Sequence, residues 1–493
     1  MSEAAQDQQV TGTREQKRVM GLGTATGICI ASMIGMGIFT VTGLWGSVLV
    51  SETNLILTWV IAAILALAGA ISVSEIGAMR PHAGAQYLFN REALGSNVGY
   101  LNGMVSIFIA FLSSMAAIAL VAGQYLEGVI PQLPGPITAT VVLLVFAFVH
   151  GTTVVGGSRV NNLLVFMKVG LMLFFILAGF LVTREVQPID PALLEAVKAQ
   201  RPELTLAQMP AGLTAEEQDA FLRSATGPAP LSAAVGLAVL GVTFAYAGWA
   251  NSCVVGGEVR NPERNLPASV LGSVGLVAVI YLLVNIAYLR FIPPAAMLEL
   301  DANGNVKEMA NIGSVMATRI FGKVAGDVLA IAIFTLMVST LSTVMMACGR
   351  VITAMSWKGE LPEIFGRLNA RGAPASAMVL QALVAIPIVW ISGLKDLLSF
   401  IGILISCMIC LTMISIIVMR RKQPNAHRPF RIPLYPIPPL LYVGVVGWMV
   451  VSSALDPDGW KPLMASAGAV IVLLLLKPIV TRKIQKPDFS KGE

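Results

Sequence analysis

Charged side chains are scarce in this chain. Asp, Glu, Lys and Arg make up 12% of its 493 residues, about half the roughly 25% usual in soluble domains. With 56% hydrophobic residues, that composition excludes an ordinary water-soluble fold. Histidine occurs three times and never as H-E-x-x-H, and no paired acids sit deep in an apolar run, so an intramembrane hydrolase lacks its groups. No G-x-x-x-x-G-K-[ST] loop occurs, which argues against an ATP-driven pump. The five cysteines, Cys29, Cys253, Cys348, Cys407 and Cys410, all lie in apolar runs. Cys407 and Cys410 are three apart, but no further Cys or His stands near them, so they read as small core residues rather than a metal site. No cofactor and no metal is expected.

What the chain has in abundance is long apolar stretches. A bilayer core of about 30 Å needs roughly 20 apolar residues per helix. Twelve segments qualify: 21–44, 53–79, 98–128, 135–156, 160–183, 231–257, 267–292, 326–356, 374–393, 397–419, 437–455 and 460–480. The expected fold is therefore an all-α integral membrane protein with 12 transmembrane helices. The first 20 residues are polar and the first apolar run continues as a span, so no cleavable leader is expected.

Charge then sets the orientation. With the N-terminus inside, the inner loops and tails hold 22 Lys and Arg against 10 outside, while acids run 11 inside to 16 outside. This fits the positive-inside rule and predicts both termini in the cytoplasm of a cell (inner or plasma) membrane. The surplus of +6 is accounted for by topology, and no nucleic-acid partner is expected.

Organised this way, the chain divides into a tail (1–20), five spans (21–183), a polar outer loop (184–230), five more spans (231–419), a basic proline-rich inner loop (420–436), two last spans (437–480) and a tail (481–493). In the outer loop, PALLEAVKAQ and TAEEQDAFLRS read as short amphipathic helices bounded by Pro and Gly. The loop is a surface elaboration or a cover over the outer mouth. The inner loop reads as an extended connector.

Two spans are interrupted. ASMIGMGIF (31–39) breaks span one with Gly35 and Gly37, and TFAYAGWANS (243–252) breaks span six, with Gly241 before it and Gly248 within it. Backbone groups freed inside lipid cost several kcal/mol each unless they line a cavity. Interrupted spans at matching places of two halves point to a transporter binding site; close helix packing is the plainer alternative. At Ile34, Gly35, Met36 and Gly37 a new half-helix would begin, offering unpaired amides at a positive dipole end, suited to a carboxylate. The ends before it, near Ala31 to Met33, and in span six near Phe244, Ala245 and Tyr246, would offer carbonyls to an ammonium. An α-amino acid zwitterion matches that pairing.

These residues resemble the amino acid–polyamine–organocation transporters. ASMIGMGIF is similar to the G-S-x-I-G-S-G-I-F pattern of that family. FAYAGWANSCVVGGEVRNPERNLP (244–267) is similar to its F-x-Y-x-G-W followed by E-x-x-N-P-x-R-x-x-P. PHAGAQY (81–87) and VNNLLVFMKVG (160–170) resemble its motifs after span two and in span five. The resemblance covers about 19–435 and implies a leucine-transporter-like 5+5 inverted repeat with broken helices 1 and 6 plus two C-terminal helices. It places the substrate carboxylate on amides around Gly35, Met36 and Gly37. It places the ammonium on carbonyls near Met33, Phe244, Ala245 and Ala247, with Phe244 as an aromatic lid; Ile34, Tyr246 and Gly248 complete the expected site. Met36 stands where the family has a small hydroxyl residue, and Ala31 and Ala85 each replace a Gly.

Lys168 is the Lys or Arg set deepest within a span. A lysine at that depth costs at least about 2.5–3.5 kcal/mol, so it should face protein or water, unless it snorkels toward the surface. By the resemblance it stands where sodium-coupled relatives hold the ion, and supplies a fixed or titrating charge instead. Glu258, Arg260 and Arg264, beside Asn261 and Pro262, form either an inner gate of charge pairs or an ordinary helix end. Glu75 and Arg80 read the same two ways, and His150 reads as structural.

The expected function is a sodium-independent secondary transporter of amino acids working by alternating access, through exchange or proton coupling. Neutral substrates are favoured because the spans hold no Asp or Glu at mid-depth. A cationic amino acid or polyamine permease is the alternative, and a non-transporting amino acid sensor a third. The expected partners are the amino acid and the bilayer. The resemblance ties a disulfide-linked heavy subunit to a Cys between spans three and four; VIPQLP (129–134) has none, so no such subunit is expected.

Overall fold

The computed structural model describes residues 18, 20–79, 85–152, 158–249, 259–301, 303–357, 361–369, 372–457 and 459–482. Arg80, residues 81–84 of the PHAGAQY motif, residues 250–257 and Glu258 lie outside them. The described chain is overwhelmingly helical. Among the described residues, nine helical stretches are long and apolar enough to cross a membrane. Shorter apolar helices, Ala233–Ala245 and Ala375–Ile391 among them, lie where two further spans are expected.

The first apolar stretch is two helices, α1 (Leu22–Met33) and α2 (Met36–Leu49). They are separate because Ile34 turns to ψ 92° and Gly35 to φ −138°, ψ −148°, outside the helical range. There follow α3 (Glu52–Met79), α4 (Ala85–Leu94) and α5 (Ser96–Val105), which runs through a π-helical segment, Ser106–Ser113, into α6 (Ser114–Val129). Next come α7 (Gly135–Thr152) and α8 (Ser158–Leu181), and then two short helices, α9 (Pro191–Gln200) and α10 (Ala215–Ser224).

The sixth span begins as α11 (Ala233–Ala245) and stops in a turn at Tyr246–Trp249. The chain resumes at α12 (Pro262–Phe291), entered through Asn261 in the left-handed conformation at φ 46°. Pro262 suits that first position because its missing amide would have no helical partner. A two-stranded antiparallel hairpin, β1 (Leu298–Leu300) with β2 (Val306–Glu308), precedes α13 (Ile312–Phe321). The remaining helices are α14 (Lys323–Trp357), α15 (Ala375–Ile391), α16 (Leu394–Lys422), α17 (Ile437–Leu455) and α18 (Trp460–Arg482).

Packing sorts the helices into groups. α12 lies along α3, α1 and α8, and α11 packs on α2, α3, α16 and α17. A second group joins α6 to α7 and α14, and α7 to α15. One large apolar core runs through both.

The segment 184–230 is folded. The side chains of Asp190 and Thr214 cap α9 and α10. Val197, Leu206, Met209 and Leu222 make a small separate core with Ala295, Ala296 and Leu298, which ties the segment to the stretch after α12. Arg223 is the central strut. It pairs with Glu52 and Asp219 and donates to the carbonyls of Leu289 at 2.9 Å and Arg290 at 3.2 Å.

The stretch 420–436 differs from an extended connector. Its first three residues finish α16, and the chain then folds back because a buried carboxylate holds it. Glu75, at the end of α3 and 2% exposed, accepts from Arg420 Nε at 2.9 Å and from the Ile432 amide at 3.0 Å. Arg428 Nε stands 3.3 Å from the same carboxylate. Arg428 also donates to the carbonyls of Gln423, Pro424 and Ala426, wrapping the turn around itself.

Candidate functional site

The two breaks meet face to face. A Cβ built on Gly37 would come within 2.5 Å of the Ala245 Cβ and 2.6 Å of its Cα, so α2 and α11 touch where only glycine fits. On the other side of the break a Cβ on Gly248 would lie 2.7 Å from the Ser32 Cβ. Gly248 also has φ +107°, a conformation side chains resist. The Cys29 thiol donates to the Trp249 carbonyl at 3.0 Å, fastening the turn of the sixth span to α1.

Gly35 differs from these two. Its φ is negative, and a Cβ built on it would meet nothing within 4 Å. Neither backbone conformation nor helix packing demands a glycine there; open space adjoins it. The amides of Gly35, Met36 and Gly37 begin α2 without an intrahelical partner, and no side chain caps them. Uncapped amides at a helix start favour an anion.

The carbonyl ends are partly occupied. The Tyr281 hydroxyl, from the middle of α12, donates to the Met33 carbonyl at 2.6 Å and reaches the Ala245 carbonyl at 3.1 Å. Its ring is fully buried and stacks edge-on with Trp59 and Tyr246, at centroid distances of 5.3 and 5.1 Å. Lys168 is 7% exposed, and its ammonium donates to the Ala31 carbonyl at 3.3 Å. It points into the protein at the end of α1 rather than to either surface. Two further bonds fix α2: Tyr125 of α6 donates to the Phe39 carbonyl at 2.6 Å, and Thr42 to Asn285 of α12 at 2.5 Å.

Beside the second break lies a small cavity of about 30 Å³. Phe244, Tyr246, Ala247 and Trp249 form one wall, and Ala66, Ile405, Ser406 and Tyr442 contribute to the others. Among the described residues, no Asp, Glu, Lys or Arg lines it; its polar side-chain groups are hydroxyls and the Trp249 indole.

A sequence profile described as amino acid permease matches residues 20–476. The chain belongs to the amino acid permease family. It is thereby a member of the amino acid–polyamine–organocation superfamily and a multi-pass membrane transporter. It is 26% identical to human solute carrier family 7 member 13, over 96% of this chain and 94% of that protein. It is 25% identical to the serine/threonine exchanger SteT of Bacillus subtilis, over 90% of this chain and 92% of that protein. With the mouse large neutral amino acids transporter small subunit 2 it shares 24% identity over 93% and 79% of the two chains. These relatives are transporters, not enzymes.

In this permease the expected site residues Met33, Ile34, Gly35, Met36 and Gly37 lie together with Phe244, Ala245, Tyr246, Ala247 and Gly248. The Met36 side chain is 2% exposed and packed in the core. Of the expected inner gate, Glu258 lies outside the described residues. Arg260 donates through its amide to the Met20 carbonyl at 2.8 Å and through Nε to the Arg18 carbonyl at 3.2 Å. Arg264 makes a backbone bond to the Asn261 carbonyl. His150 is buried, its Nε2 2.8 Å from the Ser342 hydroxyl.

Two features escape sequence reasoning. Tyr281 looks like any aromatic in an apolar helix, and only its placement opposite both breaks marks it. The π segment Ser106–Ser113, which packs on α16 and α14, follows no glycine or proline signal; such segments often occur at functional sites.

Proposed function

We propose that this chain is a sodium-independent secondary transporter of neutral amino acids, working by alternating access through exchange or proton coupling. The observation that carries this reading is the empty space beside Gly35, faced by the uncapped amides that begin α2. A carboxylate seated there satisfies those donors, and Ala245, whose Cα and Cβ pack on Gly37, offers its carbonyl to the same molecule's ammonium. The bound solute is thus a zwitterion held by backbone, with no charged side chain needed.

The substrate's side chain lies toward the small cavity beside Phe244. Its described lining of apolar residues, hydroxyls and an indole has no charge to pair with a cationic or acidic group, and burying an unpaired charge is costly. Lys168, bonded to the end of α1, stands for the ion that a sodium-coupled transporter would bind there. The names of the serine/threonine exchanger and of the large neutral amino acids transporter agree with neutral substrates and, for the first, with exchange.

The twelve spans are arranged as a 5+5 inverted repeat plus two helices, with both termini in the cytoplasm of the cell membrane. The groups around α12 and around α6 and α14 are the two bodies that rock against each other. With no cysteine in 129–134, transport proceeds without a disulfide-linked heavy subunit. Purified protein in liposomes loaded with one neutral amino acid tests this. Labelled neutral amino acids enter at the same rate with sodium or choline outside, and arginine and spermidine compete poorly. Preferential uptake of those cations would establish the cationic permease instead.

A further inference from the structure

We infer that the folded segment 184–230 carries an anion site, in which a single halide ion, chloride in a physiological medium, sits between Arg184 and Arg319. The site is separate from the two breaks and independent of the substrate reading. It lies where the stretch after α8, α10, the end of α12 and α13 meet around a cavity of about 10 Å³. Arg184, Gln187, Gln218, Asp219 and Arg319 supply its polar lining, and the rest is apolar.

Charge around the cavity is unbalanced. Three guanidinium groups, Arg184, Arg223 and Arg319, stand against two carboxylates, Asp219 and Glu52. Asp219 is already shared, because Arg184 and Arg223 both pair with it, and Glu52 is taken by Arg223. The recorded bond of the Arg319 guanidinium goes to the Phe291 carbonyl at 2.8 Å rather than to a carboxylate. Burial lowers the pKa of Arg319, and Asp219 only partly offsets that and the repulsion from Arg184 and Arg223. A guanidinium keeps its proton even so. The cluster therefore holds a positive surplus in apolar surroundings, where an anion is attracted more strongly than in water.

Arg184 adds an unsatisfied donor. Its Nη2 pairs with Asp219, but its Nε is buried and has no hydrogen-bond partner among the described residues, a state that native proteins rarely leave unanswered. Gln187 and Gln218 each commit one amide donor, to the carbonyls of Arg319 at 3.3 Å and Leu213 at 3.1 Å, and each retains a second. Size then selects the occupant. The cavity has the room of one water-sized particle, so phosphate, sulfate and carboxylate solutes are too large. A water molecule fits but leaves the charge surplus standing; a halide removes it. Arg319 belongs to the last turn of α13, so the ion clips segment 184–230 onto a helix that packs against α2 and α14.

The test uses the purified full-length protein in detergent at constant ionic strength, with chloride replaced stepwise by gluconate, an anion too large for the cavity. Protease cleavage within 184–230 is followed. Where cleavage passes through local opening, an ion that binds the closed form slows it, by about tenfold at about ten times the half-saturating chloride. Bromide should substitute for chloride. Arg319→Gln should abolish the protection, whereas Lys198→Gln, which removes a charge on α9, should keep it. Equal cleavage in chloride and gluconate overturns the proposal, as does full chloride protection in Arg319→Gln; either result leaves the cavity to water. If Arg319→Gln does not fold, anomalous scattering from bromide-soaked crystals of the unaltered protein decides. A peak between Arg184 and Arg319 supports the site, and its absence overturns it.

Discussion

Gly37 and Ala245 touch so closely that no atom fits between them: a Cβ added to Gly37 would stand 2.5 Å from that of Ala245. The first and sixth spans therefore meet at their interruptions, the start of α2 against the end of α11. Everything proposed about the substrate follows from that contact and from the space left open beside Gly35.

The two glycines of the first break should answer differently to alanine. Gly37→Ala forces α2 away from α11, an overpacking cost of about 1–3 kcal/mol, and should cut transport more than tenfold while lowering thermal stability. Gly35→Ala meets nothing within 4 Å, so melting should change little while the KM for amino acids rises. Melting curves and uptake kinetics of both variants decide this; equal destabilisation by the two would remove the case for a ligand space.

Lys168→Met keeps the length of the side chain and removes the ammonium that bonds the Ala31 carbonyl. Uptake should fall at least tenfold while the substrate still shifts the melting temperature, because the lysine touches the end of α1 rather than the amides at Gly35. Unchanged uptake would show that the charge has no part in coupling.

Glu75 gathers Arg420, Arg428 and the Ile432 amide at a buried position. Glu75→Ala leaves two guanidinium groups without their carboxylate and should destabilise the protein by about 3–5 kcal/mol, as removal of one member of a buried ion pair does. Glu75→Gln, which retains acceptor capacity, should cost less. Thermal unfolding in detergent reads the difference, and the stretch 423–436 should become protease-sensitive in both.

The segment 184–230 should open at acid pH. Burial raises the pKa of Asp219, but hydrogen bonds from Arg184 and Arg223 outweigh it and hold the carboxyl below its ordinary value. A carboxylate with a lowered folded pKa contributes stability that is complete above its unfolded value of about 3.9 and is lost as pH falls through the folded value. Protease cleavage of this segment should be flat from about pH 8 to 5 and rise only below about pH 4. Arg223→Ala should raise cleavage severalfold at neutral pH and flatten the acid dependence.

The breaks were legible because glycines and a polar cluster interrupt apolar runs at matching places of two halves. The helices in 184–230 were legible as amphipathic stretches bounded by Pro and Gly, and in the structure Asp190 and Thr214 cap them. Other features depend on partners far apart in the chain. Glu75 and Arg420 are separated by 345 positions, so nothing local marks the pair or foretells that 423–436 folds back. The role of Gly35 is likewise visible only in three dimensions. In the sequence it resembles Gly37, and the structure separates a packing glycine from one that borders space.

The central claim is that the amides beginning α2 and the span-six carbonyls hold a neutral amino acid zwitterion. The most direct measurement is binding to the purified protein of one neutral amino acid, of its methyl ester and of the same compound without its α-amino group. Binding of the amino acid alone, lost on blocking either end, is the predicted result. Equal binding of the ester or of the deaminated acid would contradict it.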